Sequence, residues 1–215
     1  MKWRSEAITR GAEAALGFLG KTGVARRFYL AGGTALALRL GHRVSRDLDL
    51  FSRTDKLALG ERGRVLSELG RARRFALDEE KEGTIHGRLG GTHLSLFHYP
   101  YPLVRRSERY RGIEVVSLED IGLMKLAAAI GRGIGRDFVD LYFLCQEVPL
   151  DRLLAMAPRK FPRTRDFVLQ ALKALVFFDD AEREPPPPTL RPARWHEIRG
   201  FFEAEVRRLS AREFG

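Results

Sequence analysis

Apolar residues recur at helical spacing through Ile8, Ala12, Ala15, Leu16 and Leu19, which predicts an amphipathic helix over 5–19 ending near Gly20 and Gly23. Phe28 to Ala31 reads as a short buried strand that stops at Gly32-Gly33, and Thr34 to Leu40 as a short helix. From Asp47 to Phe51 acidic and apolar residues alternate, the period of a half-buried strand. Residues 55–69 look helical. The runs RRFALDEE, TIHGRLGG and THLSLFHY look like strands, with Gly90-Gly91 as the hairpin turn between the last two, and IEVVSL is a further strand. After Leu118 the period changes. LEDIGLMKLAAAI, RDFVDLYFLCQ, LDRLLAMA, TRDFVLQALKALVFF and WHEIRGFFEAEVRRL are all helical, and four prolines at 185–188 form a stiff spacer before the last of them. The order predicts an α+β fold: a mixed sheet flanked by helices over residues 1–117, then a helical half over 118–215.

Composition narrows the class. A chain of 215 residues, 44% hydrophobic and 31% charged, is expected to be soluble and globular, with no run long enough to cross a bilayer. The N-terminal MKWRSEAITRG lacks the apolar core of a secretory signal. Cys145 is the only cysteine, which excludes an intrachain disulfide and makes a reducing cytoplasm the default location. On its helix with Leu141 and Leu144 it is expected to be buried and inert. Lys and Arg number 38 against 28 acids, a formal +10. That balance suits nucleic acid or a bound nucleotide, and equally a solvated arginine-rich surface.

The chemistry concentrates in YLAGGTALALRLGHRVSRDLDLF, Tyr29 to Phe51. Alternate strand residues share a face, so Leu48 and Leu50 can pack inward while Asp47 and Asp49 stand together on the other side. Two neighbouring carboxylates repel unless a cation joins them, and Mg²⁺ suits a pair that leaves room for water and phosphate oxygens. Gly32-Gly33-Thr34 adds a strand end, a close backbone approach and a helix N-terminus for an anion. Phosphate beside a divalent metal is the setting for phosphoryl or nucleotidyl transfer. D-x-D and GGT are each common, and their joint spacing is what carries the signal. Neither the P-loop nor the dinucleotide G-x-G-x-x-G pattern is present.

Two blocks together, GGTALALRLGHRVSRDLDLF and MKLAAAIGRGIGRDFVDLYFL (Met124 to Leu144), resemble the AbiEii/AbiGii toxin family within the DNA polymerase β-like nucleotidyltransferase superfamily. The resemblance runs from about Phe28 to the C-terminal helix. It implies a polymerase-β-like catalytic sheet, an NTP bound through Gly32, Gly33, Thr34, Arg43 and Ser45, and Mg²⁺ or Mn²⁺ on Asp47 and Asp49. It also implies that Lys125 and Asp137 complete the site, that RNA, chiefly tRNA, accepts the nucleotide, and that an antitoxin is the protein partner, with no membrane role. On residue type alone, Lys125 lies on an otherwise apolar stripe with Leu126 and Ala129, where it must meet an anion, either a triphosphate or a structural acid. Asp137 could equally be a helix N-cap, with Asp140 three residues on, and Glu119-Asp120 is expected to cap the Lys125 helix.

One feature departs from the superfamily pattern. A third carboxylate is usual on a neighbouring strand, and the expected place is HLSLFHY. With Leu94 and Leu96 inward, His93, Ser95 and Phe97 face the cleft, so Ser95 stands where the acid would be. Either two aspartates suffice, or a nearby acid or histidine substitutes, or activity is weak or lost. His86, His93 and His98 are expected to be mainly structural, with His93 kept as a secondary site residue. The leading expectation is a Mg²⁺-dependent nucleotidyltransferase. The alternatives are an inactive NTP- or RNA-binding interaction module and a metal-dependent glycosyltransferase, against which the GGT block argues.

Overall fold

The computed structural model describes residues 3–183 and 185–214, with side chains as far as Ala211. A 3-10 turn at Ser5–Ala7 precedes helix α1 (Arg10–Leu19). The helix expected over 5–19 is divided because Thr9 is extended and caps α1, its Oγ1 accepting from the Ala12 N–H at 3.1 Å. A short helix absent from the sequence reading, α2 (Val24–Arg27), leads into β1 (Tyr29–Leu30). Helix α3 covers Gly32–Leu40 and strand β2 covers Leu48–Ser52. Helix α4 (Leu59–Leu69) starts later than expected, because Asp55 is held in a turn. The Asp55 N–H donates to Ser52 Oγ at 2.9 Å, and Asp55 Oδ1 accepts from the Leu57 N–H at 3.1 Å. There follow β3 (Phe75–Lys81), β4 (Thr84–Leu89), β5 (Thr92–His98), β6 (Glu108–Tyr110) and β7 (Ile113–Val115).

The strands form one seven-stranded sheet in the order β3-β4-β5-β2-β1-β7-β6. β1 runs parallel to β7 and β2 parallel to β5, and the other pairs are antiparallel, so the sheet is mixed. The chain divides into two units, Met1–Ser117 and Leu118–Gly215, and the sheet belongs to the first. Leu48, Leu50, Leu94 and Leu96 are all buried, so one face of the central strands is core. The carboxyl end of α3 is fixed by Arg39, itself buried, which donates to the carbonyl oxygens of Val116 at 2.7 Å and Val115 at 3.0 Å. That anchor leaves the amino end of α3 lying against β2.

The second unit is helical: α5 (Leu118–Gly131), α6 (Gly135–Cys145), α7 (Leu150–Lys160), α8 (Phe167–Ala174) and α9 (Trp195–Phe214). α8 is shorter than the expected 164–178, since its end tightens into 3-10-type bonds from the Val176 and Phe177 N–H groups to Lys173 and Ala174. Phe138 packs against Phe178, Trp195 and Phe202 at centroid distances of 5.2, 5.9 and 5.6 Å. Glu119 and Asp120 lie in the first turn of α5, but neither stays a simple cap. Asp120 is fully buried against Lys160 at 2.8 Å, and Glu119 pairs with Arg152 at 3.2 Å. Two such buried charges persist only because each neutralises the other. Burial pushes the Cys145 thiol up to about 12, which keeps it un-ionised and unreactive near neutrality. Among the described residues no helix is long and apolar enough to cross a membrane.

Candidate active site

β2 shows the alternation that the sequence predicts. Leu48 and Leu50 are fully buried, while Asp49 and the preceding Asp47 are half-exposed on the opposite side. Asp47 lies just outside the strand, so the Cα atoms of the two aspartates are about 7 Å apart along an extended segment and their side chains leave it on the same side.

The amino end of α3 comes up to this face. Ala31, the N-cap, offers no capping side chain, and its N–H is bonded to the Asp49 carbonyl oxygen at 3.2 Å. Gly32 has φ +65°, and a Cβ there would stand 3.0 Å from Asp49 Oδ2. A Cβ on Gly33 would stand 2.3 Å from Arg43 Nη2. Gly32 is favoured by its left-handed backbone, and a side chain on Gly33 would displace the guanidinium that lies against it.

Thr34, Arg43 and Ser45 are buried. Thr34 Oγ1 donates to the Asp47 carbonyl oxygen and lies 2.8 Å from Ser45 Oγ, so with its one proton spent on the carbonyl it accepts from Ser45. The Ser45 N–H donates to the Ala7 carbonyl oxygen at 2.9 Å. These bonds tie the start of α3 to the segment that enters β2, and so fix where Asp47 is presented.

The register of β2 with β5 pairs Asp49 with Ser95, and that of β4 with β5 pairs Ser95 with His86. Registered residues share a face, so Asp49, Ser95 and His86 form one cross-strand row. His86 Nδ1 lies 3.1 Å from Ser95 Oγ, and its ring meets Phe97 edge-on at 5.5 Å. His93 is exposed two residues along from Ser95, and His98 ends the strand. The row sets His86, expected to be structural, beside Ser95, the residue expected at the acid's position. Counting back from the Gly90-Gly91 turn already pairs 86 with 95. Among the described residues no three His, Cys, Asp or Glu side chains gather as a metal-binding group. Two half-exposed carboxylates beside a helix N-terminus still fit Mg²⁺, because that ion keeps several waters and takes phosphate oxygens from its nucleotide.

The second unit presents Lys125 and Asp137 in a buried charge cluster of its own. Lys125 Nζ lies 2.9 Å from Asp137 Oδ1 and 2.6 Å from Asp140 Oδ2, and Arg132 Nε lies 2.9 Å from Asp137 Oδ2. Both aspartate side chains are fully buried and Lys125 is nearly so. Ile134 is the N-cap of α6, which places Asp137 in its first turn, facing the lysine rather than capping the helix. Phe143 of the same helix is core. Asp140 went unassigned in the sequence because its partner comes from a different helix.

The family model described as Nucleotidyl transferase AbiEii toxin, Type IV TA system, matches residues 17–213. A protein of Aquifex aeolicus (strain VF5) is 36% identical over 189 residues, covering 86% of this chain and 89% of its own. Among solved structures, MenT4, a nucleotidyltransferase toxin from Mycobacterium tuberculosis H37Rv, superposes with a TM-score of 0.60 at 20% identity, covering 92% of this chain and 79% of its own. A nucleotidyltransferase from H. pylori covers 95% of each chain at 19% identity with a TM-score of 0.47.

Proposed function

The chain belongs to the AbiEii nucleotidyl transferase toxin family, and from that membership we propose that it is the Mg²⁺-dependent toxin of a toxin–antitoxin pair, moving a nucleotide from an NTP to a hydroxyl of RNA, with tRNA the first acceptor to test. The observation that carries this reading is the pair Asp47 and Asp49 on one face, half-exposed, beside the glycine-opened and uncapped start of α3.

Asp47 and Asp49 would hold the metal, which supplies Lewis-acid polarisation of the phosphate and lowers the acceptor's pKa. The first-turn N–H groups of α3 would take phosphate oxygens. Arg43 adds positive charge against Gly33. The acceptor oxygen forms a bond to the α-phosphorus, the α–β phosphoanhydride bond breaks, pyrophosphate leaves, and the acceptor proton passes to a base. Thr34 and Ser45 serve by positioning, through the bonds that fix the entry to β2. Lys125 and Asp137 are assigned to the same reaction on the strength of the motif they carry. A cytoplasmic location follows from an intracellular RNA acceptor.

Ser95 favours one other reading, a module that binds NTP or RNA without turnover, because the residue in register with Asp49 has no charge to offer. Incubation with total RNA and each labelled NTP separates the two. We expect Mg²⁺-dependent label on a discrete RNA species; NTP binding with no label on any RNA would establish the inactive module instead.

The vacant acid position makes a second expectation. NTP·Mg²⁺ binding should survive with Ser95 in place, but chemistry should be slow and should quicken with pH, as hydroxide or a weak base removes the proton. Ser95→Asp should speed single-turnover transfer by about a hundred- to ten-thousandfold, the usual range for a positioned base, and flatten the pH dependence. A wild-type rate already fast and flat with pH, with Ser95→Asp slower, would show that Ser95 is not the acid position.

A further inference from the structure

A groove of about 680 Å³ opens in the first unit where α2, the end of β2 and the segment around β6 converge. Six arginines line it: Arg26, Arg27, Arg53, Arg105, Arg106 and Arg109. Against them stands one lining carboxylate, Glu114, which already accepts from Ser107 Oγ at 3.0 Å. Arg27 is committed to Asp55 at 2.9 Å and Glu68 at 2.8 Å. Arg26, Arg53, Arg106 and Arg109 are exposed, and among the described residues their side chains make no ion pair. So many exposed cations around one concavity hold a positive potential that favours a polyanion.

The sheet register connects this groove to the carboxylates. Arg109 pairs with Glu114, Glu114 with Tyr29, Tyr29 with Phe51 and Phe51 with Phe97. Registered neighbours share a face, so this row lies on the same side as Asp49, one pleat repeat beyond it. By strand spacing Arg109 is roughly 15 Å from Asp49. On this face, next to Asp49 on β2, half-exposed Phe51 stacks at 5.2 Å on half-exposed Phe97 of β5, at 6.1 Å on the buried Tyr29 of β1 and edge-on at 5.6 Å to half-exposed Tyr99. Cations that track a backbone, followed by aromatic rings for bases, are the two parts of a single-stranded nucleic-acid path. An acidic protein segment would use the cations and leave the rings without a role.

We propose that this arginine groove binds phosphates of a single-stranded RNA end, with Phe51 and Phe97 as the stacking platform that leads its terminal nucleotide toward Asp47 and Asp49. The choice of RNA rests on the function proposed above, but the groove itself is tested without turnover. Binding of a labelled single-stranded RNA of about twelve nucleotides, within the span of known sites, is measured by anisotropy across a salt series, without NTP or metal. The groove variant is Arg53→Gln/Arg106→Gln/Arg109→Gln; the charge-matched control is Arg64→Gln/Arg73→Gln/Arg74→Gln, exposed arginines of the same unit outside the groove.

We expect the groove variant to lose at least tenfold in affinity at low salt, with a log–log salt slope shallower by about 2, since each lost phosphate contact on a single strand removes about 0.7. The control should shift both far less, and all three proteins should melt together, because the replaced side chains are exposed. Equal losses in groove variant and control, or no loss in either, would overturn the proposal. So would groove-dependent binding of poly-glutamate by a protein that does not bind the RNA, which would make the groove a dock for an acidic protein. Groove-dependent RNA binding in a protein that labels no RNA from any NTP would leave the groove standing and remove nucleotidyl transfer instead.

Discussion

Replacing Asp47 or Asp49 by alanine is expected to lower single-turnover transfer at least about a thousandfold while the protein stays folded. Metal polarisation of a transferring phosphoryl group contributes several kcal/mol to the barrier, and about 4 kcal/mol corresponds to that factor. The fold does not depend on either carboxylate for its core, because the inward positions of the segment are Leu48 and Leu50 and both acids are half-exposed. Stability should change by less than about 1 kcal/mol, the ordinary range for a partly exposed site. The two variants need not be equal. Asp49 lies within the β2–β5 ladder and against Gly32, whereas Asp47 is presented by the segment that Thr34 clasps. Rates are read at limiting and saturating Mg²⁺, with a thermal melt for each protein. Near-native transfer by either variant at limiting Mg²⁺ would remove that residue from the metal site.

What could be read from the sequence was local. Alternation at Asp47–Phe51, the turn at Gly90-Gly91 and the change of period after Leu118 all depend on neighbours in the chain, and the strands and helices they predict are present. The boundaries that moved were set by single side-chain bonds. Thr9 divides the first helix and Asp55 delays α4, and neither competes with hydrophobic period strongly enough to be seen in it. β6 was missed because Glu108, Arg109 and Tyr110 carry no apolar alternation and are a strand only through pairing with β7.

The site divides along the same line. Gly32, Gly33 and the two aspartates stand out because strand and helix geometry alone brings them together. Asp49 beside Ser95 needs the parallel pairing of β2 with β5, and the arginine groove needs the pairing of β1 with β7, both between segments far apart in the chain. The partners of Lys125 were equally out of reach, since an apolar stripe shows that a lysine must meet an anion and is silent on which one.

Lys125 gives the second large effect, and it is first an effect on stability. Lys125, Arg132, Asp137 and Asp140 sum to zero charge, with both carboxylates fully buried. Lys125→Met removes the cation that lies 2.6 Å from Asp140 and 2.9 Å from Asp137, so about 3–5 kcal/mol should be lost, the usual cost of breaking a buried pair. Loss of transfer in that variant would therefore say little about phosphate. The double variant Lys125→Met/Asp140→Leu separates the two roles. It removes one charge of each sign, keeps the Arg132–Asp137 pair at 2.9 Å, and fills the space with apolar atoms. Such replacements of a whole buried pair are often neutral or stabilising, so most of the lost melting temperature should return. Transfer should not return with it if Lys125 neutralises phosphate charge, and nucleotide titration should show weakened NTP binding in a protein of near-native stability. Recovery of both stability and transfer in the double variant would make Lys125 a structural counter-ion for Asp137 and Asp140, and the phosphate role would pass to Arg43 and the amino end of α3.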